Sequence, residues 1–138
     1  MKAFCVALCV LLALEAAWCH PASEKEMEVL RKCAAENSVK YDDLKAFLDD
    51  KDVTKDAKCF MKCTMLAFGT LSEDGTIQAD DHFKESGHEE LAAIAAACTK
   101  IEKNDDLCEL AHQHGLRMLK QDADGKMKEH MLETLENL

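Results

Sequence analysis

Eight cysteines, Cys5, Cys9, Cys19, Cys33, Cys59, Cys63, Cys98 and Cys108, are the residues of this chain whose spacing most constrains its chemistry. Thiols in such numbers either form disulfides or hold a soft metal ion. Cys59 and Cys63 stand four apart, so within a helix they share one face and are badly placed to bond each other. Each has to reach a different neighbouring segment, which makes the stretch around them a hub. Zinc would need a second close ligand pair, and the widely spaced single cysteines supply none. Spacing alone leaves the partners of the individual cysteines open.

Other chemistry-bearing patterns come apart when read residue by residue. Asp122-Ala123-Asp124-Gly125 hints at a calcium loop, but Lys120 stands where the first acidic ligand belongs and Met131 where the closing glutamate belongs. His82, His88, His112 and His114 lack the spacing of a metallohydrolase helix, and no nucleophile elbow or glycine-rich phosphate loop is present. None of Asn37, Asn104 and Asn137 opens a glycosylation sequon. The chain is read as a non-enzyme that uses no cofactor and no metal.

The elements that must position the cysteines begin after the N-terminus. Lys2, the apolar run from Ala3 to Leu14 and the exit Glu15-Ala16-Ala17-Trp18-Cys19 read as a secretory signal peptide. Residues 1–19 are assigned to it, with cleavage after Ala16 or Ala17 as the competing choice, and residues 20–138 to a secreted, extracellular domain. Cys5, Cys9 and Cys19 leave with the signal. An oxidising destination makes Cys33, Cys59, Cys63, Cys98 and Cys108 bridge formers first.

From Pro21 onward the chain reads as helices. Ser23-x-x-Glu26 is a capping box that opens a helix toward Glu36, with Met27, Leu30 and Cys33 on one face. Tyr41 to Leu48 forms a short second helix with Leu44, Phe47 and Leu48 inward, and Thr54 caps a third through Phe68. That helix ends at Gly69, before the Ser72-Glu73-Asp74-Gly75 turn. Asp80 to Glu85 is a short helix around Phe83. Ser86-x-x-Glu89 is a second capping box, opening a helix through Leu91, Ile94, Cys98 and Ile101. Asn104 caps the next, from Asp106 to about Lys120, with Leu107, Ala111, His114 and Met118 along one stripe. A tail from residue 122 carries Met127, Met131, Leu132, Leu135 and Leu138 at helical spacing, with Lys126, Lys128, Glu129, Glu133 and Glu136 left to water.

Composition agrees with one all-helical domain. The chain has 138 residues, one Pro, five Gly and 5% aromatics, with no repeat or linker that would divide it. Its net charge of −10 argues against nucleic acid or an anionic membrane as partner, and its one long apolar run is too short for a membrane span.

The signature Cys33, twenty-five intervening residues, Cys59-Phe60-Met61-Lys62-Cys63, then Phe68-Gly69-x-Leu71-x-Glu73-Asp74-Gly75, Cys98, nine intervening residues and Cys108 resembles the pheromone and general odorant-binding proteins of insects. The resemblance covers essentially the whole chain after the signal. It implies an all-α fold of six short helices around an apolar cavity, stapled by disulfides, with room for a seventh C-terminal helix. It also implies bridges Cys33–Cys63 and Cys59–Cys108. A third family bridge would join Cys98 to position 117, which is Arg117 here. Cys98 is then a free-thiol candidate: a small buried hydrophobe, a reachable thiol whose thiolate Arg117 favours and which joins two chains or carries a small-thiol cap, or the partner of a retained Cys19.

The function implied is a secreted carrier of small hydrophobic ligands such as odorants, pheromones or related lipids. Met61, Met65, Phe68, Phe83, Leu91, Ile94, Leu110 and Leu116 are assigned to the pocket by periodicity, and Leu135 joins them as a ligand-binding residue of the tail, residues 122–138, which folds back over the cavity mouth as a lid. Beyond the ligand, an olfactory receptor is a candidate partner, and the chain is expected as a monomer or weak homodimer. His112, His114 and His130 are expected to change charge near pH 6 to 7 and to alter lid docking or helix packing, releasing ligand in mildly acid surroundings. The rival reading is a secreted helical interaction module without a physiological small ligand, acting through an exposed apolar patch or as a Cys98-linked dimer.

Overall fold

A computed structural model describes residues 22–79, 81–85 and 87–138. The signal-peptide reading of residues 1–19, and with it Cys5, Cys9 and Cys19, lies outside the described residues, as do Pro21, Asp80 and Ser86. Seven helices are present among the described residues: α1 (Glu24–Glu36), α2 (Tyr41–Leu48), α3 (Lys55–Ala67), α4 (Asp81–Glu85), α5 (Glu89–Ala97), α6 (Leu107–Gln121) and α7 (Lys126–Glu136).

Local chemistry explains where they start. The capping box of α1 forms in both directions between Ser23 and Glu26. Thr54 Oγ1 accepts from the Ala57 amide at the start of α3. At α6 the capping residue is Asp106, whose Oδ1 accepts from the amides of Cys108 (2.9 Å) and Glu109 (3.2 Å). Asn104, expected to cap it, instead accepts the Asp106 amide in an Asx turn one step upstream. α5 starts at Glu89 with His88 at its N-cap position, and it stops at Ala97 with Cys98 as C-cap. The expected continuation to Ile101 is corrected: Ile101 packs with Leu71, Ile77 and Leu110 in a separate cluster. Gly125, in the left-handed region at φ 70°, is the N-cap residue before α7, and the Asp122 carboxylate reaches past the turn to accept the Lys128 amide at 3.0 Å.

Among the described residues, β-like pairing occurs just after the end of α3. Gly69 turns the chain at φ 77°, and a tight hairpin follows in which Leu71 bridges Ile77 across the predicted turn. Gln78 donates its amide to Thr70 O at 2.8 Å and Ser72 donates to Thr76 O at 2.9 Å.

Packing centres on α3 and α6, which make the most extensive helix–helix contact. Two disulfides extend from this pair. Cys33 on α1 joins Cys63 on α3, and Cys59 on α3 joins Cys108 on α6, with Cα–Cα distances of 5.7 and 4.5 Å. One face of α3 thus reaches two neighbours, as the four-residue spacing requires. The main core gathers Cys33, Leu44, Phe47, Leu48, Ala57, Phe60, Met61 and Ala111. A second cluster, Leu91, Ala95, Cys98, Met118 and Met127, fastens α5 and α7 to the outer side of α6.

Candidate functional site

A cavity of about 190 Å³ lies between these helices. Its walls are mostly hydrocarbon: Leu30 from α1, Leu44, Phe47 and Leu48 from α2, Phe60, Met61, Met65 and Phe68 from α3, Phe83 from α4, Met118 from α6 and Met131 and Leu135 from α7. Helices this short cannot fill the centre of the bundle from every side, and the cross-links keep the frame from closing on the gap.

Of the residues assigned to the pocket from sequence, the structure brings Met61, Met65, Phe68, Phe83 and Leu135 to its wall. Leu91 and Ile94 are corrected to packing residues of the α5–α6–α7 cluster with Met118 and Met127. Leu110 is corrected likewise, because it faces the Leu71–Ile77 hairpin and is 1% exposed there. Leu116 packs against the main core, away from the cavity. For Leu91 and Ile94 the reason is the placement of α5, whose apolar face is taken up by α4, α6 and α7 and so does not reach the cavity. Sequence reasoning missed Phe47, Phe60, Met118 and Met131. Their apolar periodicity was visible, but periodicity does not separate a side chain that meets another from one that meets a void.

Polar wall groups are few. The Thr64 hydroxyl donates to Met61 O (2.9 Å) and the Thr134 hydroxyl to His130 O (2.8 Å), so both donors turn back onto their own helices. His114 is 2% exposed, and its Nε2 is buried without a hydrogen-bond partner. Burial, helped by the nearby Arg117 guanidinium, pushes its pKa down to about 4, so the ring is neutral at pH 7. The expectation that His114 changes charge between pH 6 and 7 is corrected on that ground. His112 does not line the cavity; its ring stands edge-on to Phe47 at 5.9 Å.

A wider groove of about 610 Å³ adjoins the cavity, with Lys25, Gln78, Asp81, Glu85 and His88 on its walls. Cavity and groove share Ala22, Glu26, Phe68 and His130, which stand between them. The His130 ring lies 4.6 Å from that of His88 and meets Phe83 edge-on at 6.4 Å.

The C-terminal helix closes one side. Its Met127 is fully buried, Lys128 Nζ reaches Asp49 of the α2 C-cap at 3.2 Å, and Lys126 pairs with Glu90 of α5. Hydrogen bonds from Lys45 and Lys128 hold the Asp49 carboxyl down at about 2. Cys98 is a free cysteine with no exposed surface. Burial raises its thiol pKa, and Arg117 opposes that only in part, so the reading in which Arg117 supplies a reachable thiolate is corrected. The Arg117 guanidinium donates instead to Lys100 O at 2.6 Å. Among the described residues no cluster of three His, Cys, Asp or Glu side chains is arranged to hold a metal ion, and no helix is long and apolar enough to cross a membrane.

These features have counterparts among known proteins. No curated protein matches the chain. A solved structure, the odorant-binding protein dmelOBP28a from Drosophila melanogaster, is similar at 26% sequence identity with a TM-score of 0.52, covering 78% of this chain and 93% of that one. The model of the PBP/GOBP family matches residues 15–116, from before α1 to within α6 and across all four bridged cysteines. With an all-helical frame, cross-links through α3 and an apolar cavity at its centre, the chain belongs to the PBP/GOBP family of insect odorant-binding proteins, a family of small-ligand carriers.

Proposed function

We propose that this chain is a secreted carrier that holds one small, mainly apolar molecule in the cavity and releases it unchanged. The observation that carries the reading is the hydrocarbon-walled space of about 190 Å³ beside the α3–α6 pair. An engineered cavity of about 150 Å³ takes up benzene, so this one suits a ligand of roughly eight to ten non-hydrogen atoms, with longer molecules extending into the groove. Met61, Met65, Phe68, Phe83 and Leu135 are the wall residues proposed from both sequence and geometry. The flexible methionines adapt to ligands of differing outline. Residues 1–19 are proposed as the signal that sends the chain out of the cell, and α7 as the cover whose movement admits ligand. The interaction-module alternative finds little support, since Tyr41, at 40%, is the only large hydrophobic side chain exposed among the described residues.

Displacement of a fluorescent apolar probe from the chain after signal removal, by short- and long-chain alcohols, esters, fatty acids and aromatic amines, tests the reading. Selective displacement at micromolar concentrations is expected. A folded, helical chain that neither takes up the probe nor binds any of the panel would refute it.

A further inference from the structure

We infer that the cavity is built for ligands carrying one hydroxyl group, an alcohol or phenol, and that Nε2 of His114 is the atom that hydrogen-bonds it. The inference rests on the carrier reading and narrows it to a ligand class. His114 lines the cavity from α6, is 2% exposed, and has its Nε2 buried with no partner. A buried polar atom without a hydrogen bond is costly and rare in native proteins. The other buried, unpartnered side-chain atom among the described residues, His112 Nδ1, belongs to a residue outside the cavity and lies 3.6 Å from Glu109 Oε1, so a carboxylate is at hand for it. Among the described residues His114 Nε2 has no hydrogen-bond partner and no ion-pair partner. The threonine hydroxyls nearest in kind, those of Thr64 and Thr134, spend their protons on backbone carbonyls.

The chemistry of the missing partner follows from the ring. The neutral imidazole presents Nε2 either as N–H donor or as bare acceptor, according to tautomer. A hydroxyl is both donor and acceptor, so it satisfies either form, whereas a carbonyl or ether satisfies only the first. A carboxylate would bring an unpaired charge into hydrocarbon walls beside an imidazole that stays neutral at pH 7, which burial penalises. The other polar wall residues are Thr64, Thr70 and Thr134 and, at the border with the groove, Glu26 and His130.

The test uses 4-methylphenol and 1,4-dimethylbenzene, which have nearly the same outline and differ by a hydroxyl. Calorimetric titration is made against the chain after signal removal and against its His114→Leu and His114→Gln variants. His114→Leu is expected to weaken 4-methylphenol about tenfold, the size of one net hydrogen bond, and to leave 1,4-dimethylbenzene within about twofold. His114→Gln, which keeps a donor and an acceptor at similar reach, is expected to recover most of the loss. If both ligands shift together, or neither shifts, His114 does not read the hydroxyl. If the hydrocarbon binds the unmutated chain and the phenol does not, the inference falls and the carrier reading stands; if neither binds the folded chain, both fall. Should the leucine variant fail to fold, the side-chain 15N resonance of His114 Nε2 in the unmutated chain decides. It is expected to move on adding 4-methylphenol and to stay put with 1,4-dimethylbenzene, and equal responses overturn the assignment.

Discussion

The α1–α3–α6 side of the molecule and the α5–α7 side are made of the same material, short amphipathic helices with capped starts, yet they are held by different means. The first is tied by two disulfides that meet on one face of α3. The second has no covalent link: Cys98 sits unpaired inside a cluster with Leu91, Ala95, Met118 and Met127, and the polar fastenings are the Lys128–Asp49 and Lys126–Glu90 pairs. A cavity needs a frame that resists collapse and a wall that can yield. The cross-linked half provides the first, and the packed half, which includes α7, is free to provide the second.

The largest test of that division is to dissolve the frame. Replacing Cys59 and Cys108 together by alanine frees a loop of 49 residues and should cost about 4 kcal/mol in chain-entropy terms, read by chemical denaturation. A loss below about 1 kcal/mol would mean that α3 and α6 hold together by packing alone. The converse change would frame the yielding half. Arg117→Cys, offered to Cys98 under oxidising conditions, should form a bridge worth roughly 3 kcal/mol and raise Tm by about 10 °C. It should also slow ligand release, if α5 and α6 already meet at bonding distance. A free thiol at both positions after oxidation would show that they do not.

The pH dependence sharpens the contrast next. Burial depresses the pKa of His114 to about 4, below the unfolded value near 6.5, so the unfolded chain holds the extra proton in between. Stability should therefore be full above pH 6.5 and fall as pH drops toward 4, by roughly 3 kcal/mol over the window, and His114→Leu should flatten that slope in acid denaturation. Asp49 runs later. Its carboxyl is held near 2, so its ion pair with Lys128 persists through mildly acid pH and weakens only as pH falls through the range from about 4 to 2. Acid thus acts first on the cavity wall at α6 and only afterwards on the fastening of α7.

Two smaller effects complete the series. Gly115 lies inside α6, where alanine would favour the helix by about 1 kcal/mol, yet a Cβ there would stand 2.7 Å from Phe47 Cζ. Gly115→Ala should push the buried Phe47 ring toward the cavity and weaken ligand binding about tenfold with a net stability change near 1 kcal/mol; calorimetry and melting curves separate the two. Lys128→Ala removes a partly exposed ion pair and should lower Tm by no more than about 2 °C while roughly doubling the rate of ligand release in stopped-flow measurements. An unchanged rate would acquit α7 of any role as cover.

Much of the frame was legible because it is local. The Ser23–Glu26 box, the Thr54 cap and the Gly69 stop each depend on residues within four positions, and the 59–63 spacing forced α3 to reach two neighbours. The site was legible only in part because a void is a property of the assembly. Leu91 and Ile94 have the same apolar periodicity as Met61 and Met65, and only the way α5 packs among α4, α6 and α7 decides that they meet side chains and not empty space. His114 illustrates the same limit. Its place on the inner stripe of α6 was readable, but that its Nε2 would be left without a partner depends on what every other helix fails to bring there.

The sealed position of Cys98 has a consequence for how this protein ages. Exchange between a thiol and a disulfide requires a thiolate that can touch the sulfur it attacks, and in the folded chain Cys98 is neither exposed nor inclined to ionise. The two bridges are therefore kept from exchange with this thiol by its burial and by its reluctance to ionise. Once heat or denaturant opens the α5–α6–α7 cluster, the same sulfur becomes a catalyst of scrambling, able to attack either bridge and release a new thiol in its turn. Unfolding is then a one-way door at neutral and alkaline pH, where the freed thiol ionises most, and the working life of the carrier is set by how seldom that cluster opens and much less by the equilibrium stability of the helices around the ligand.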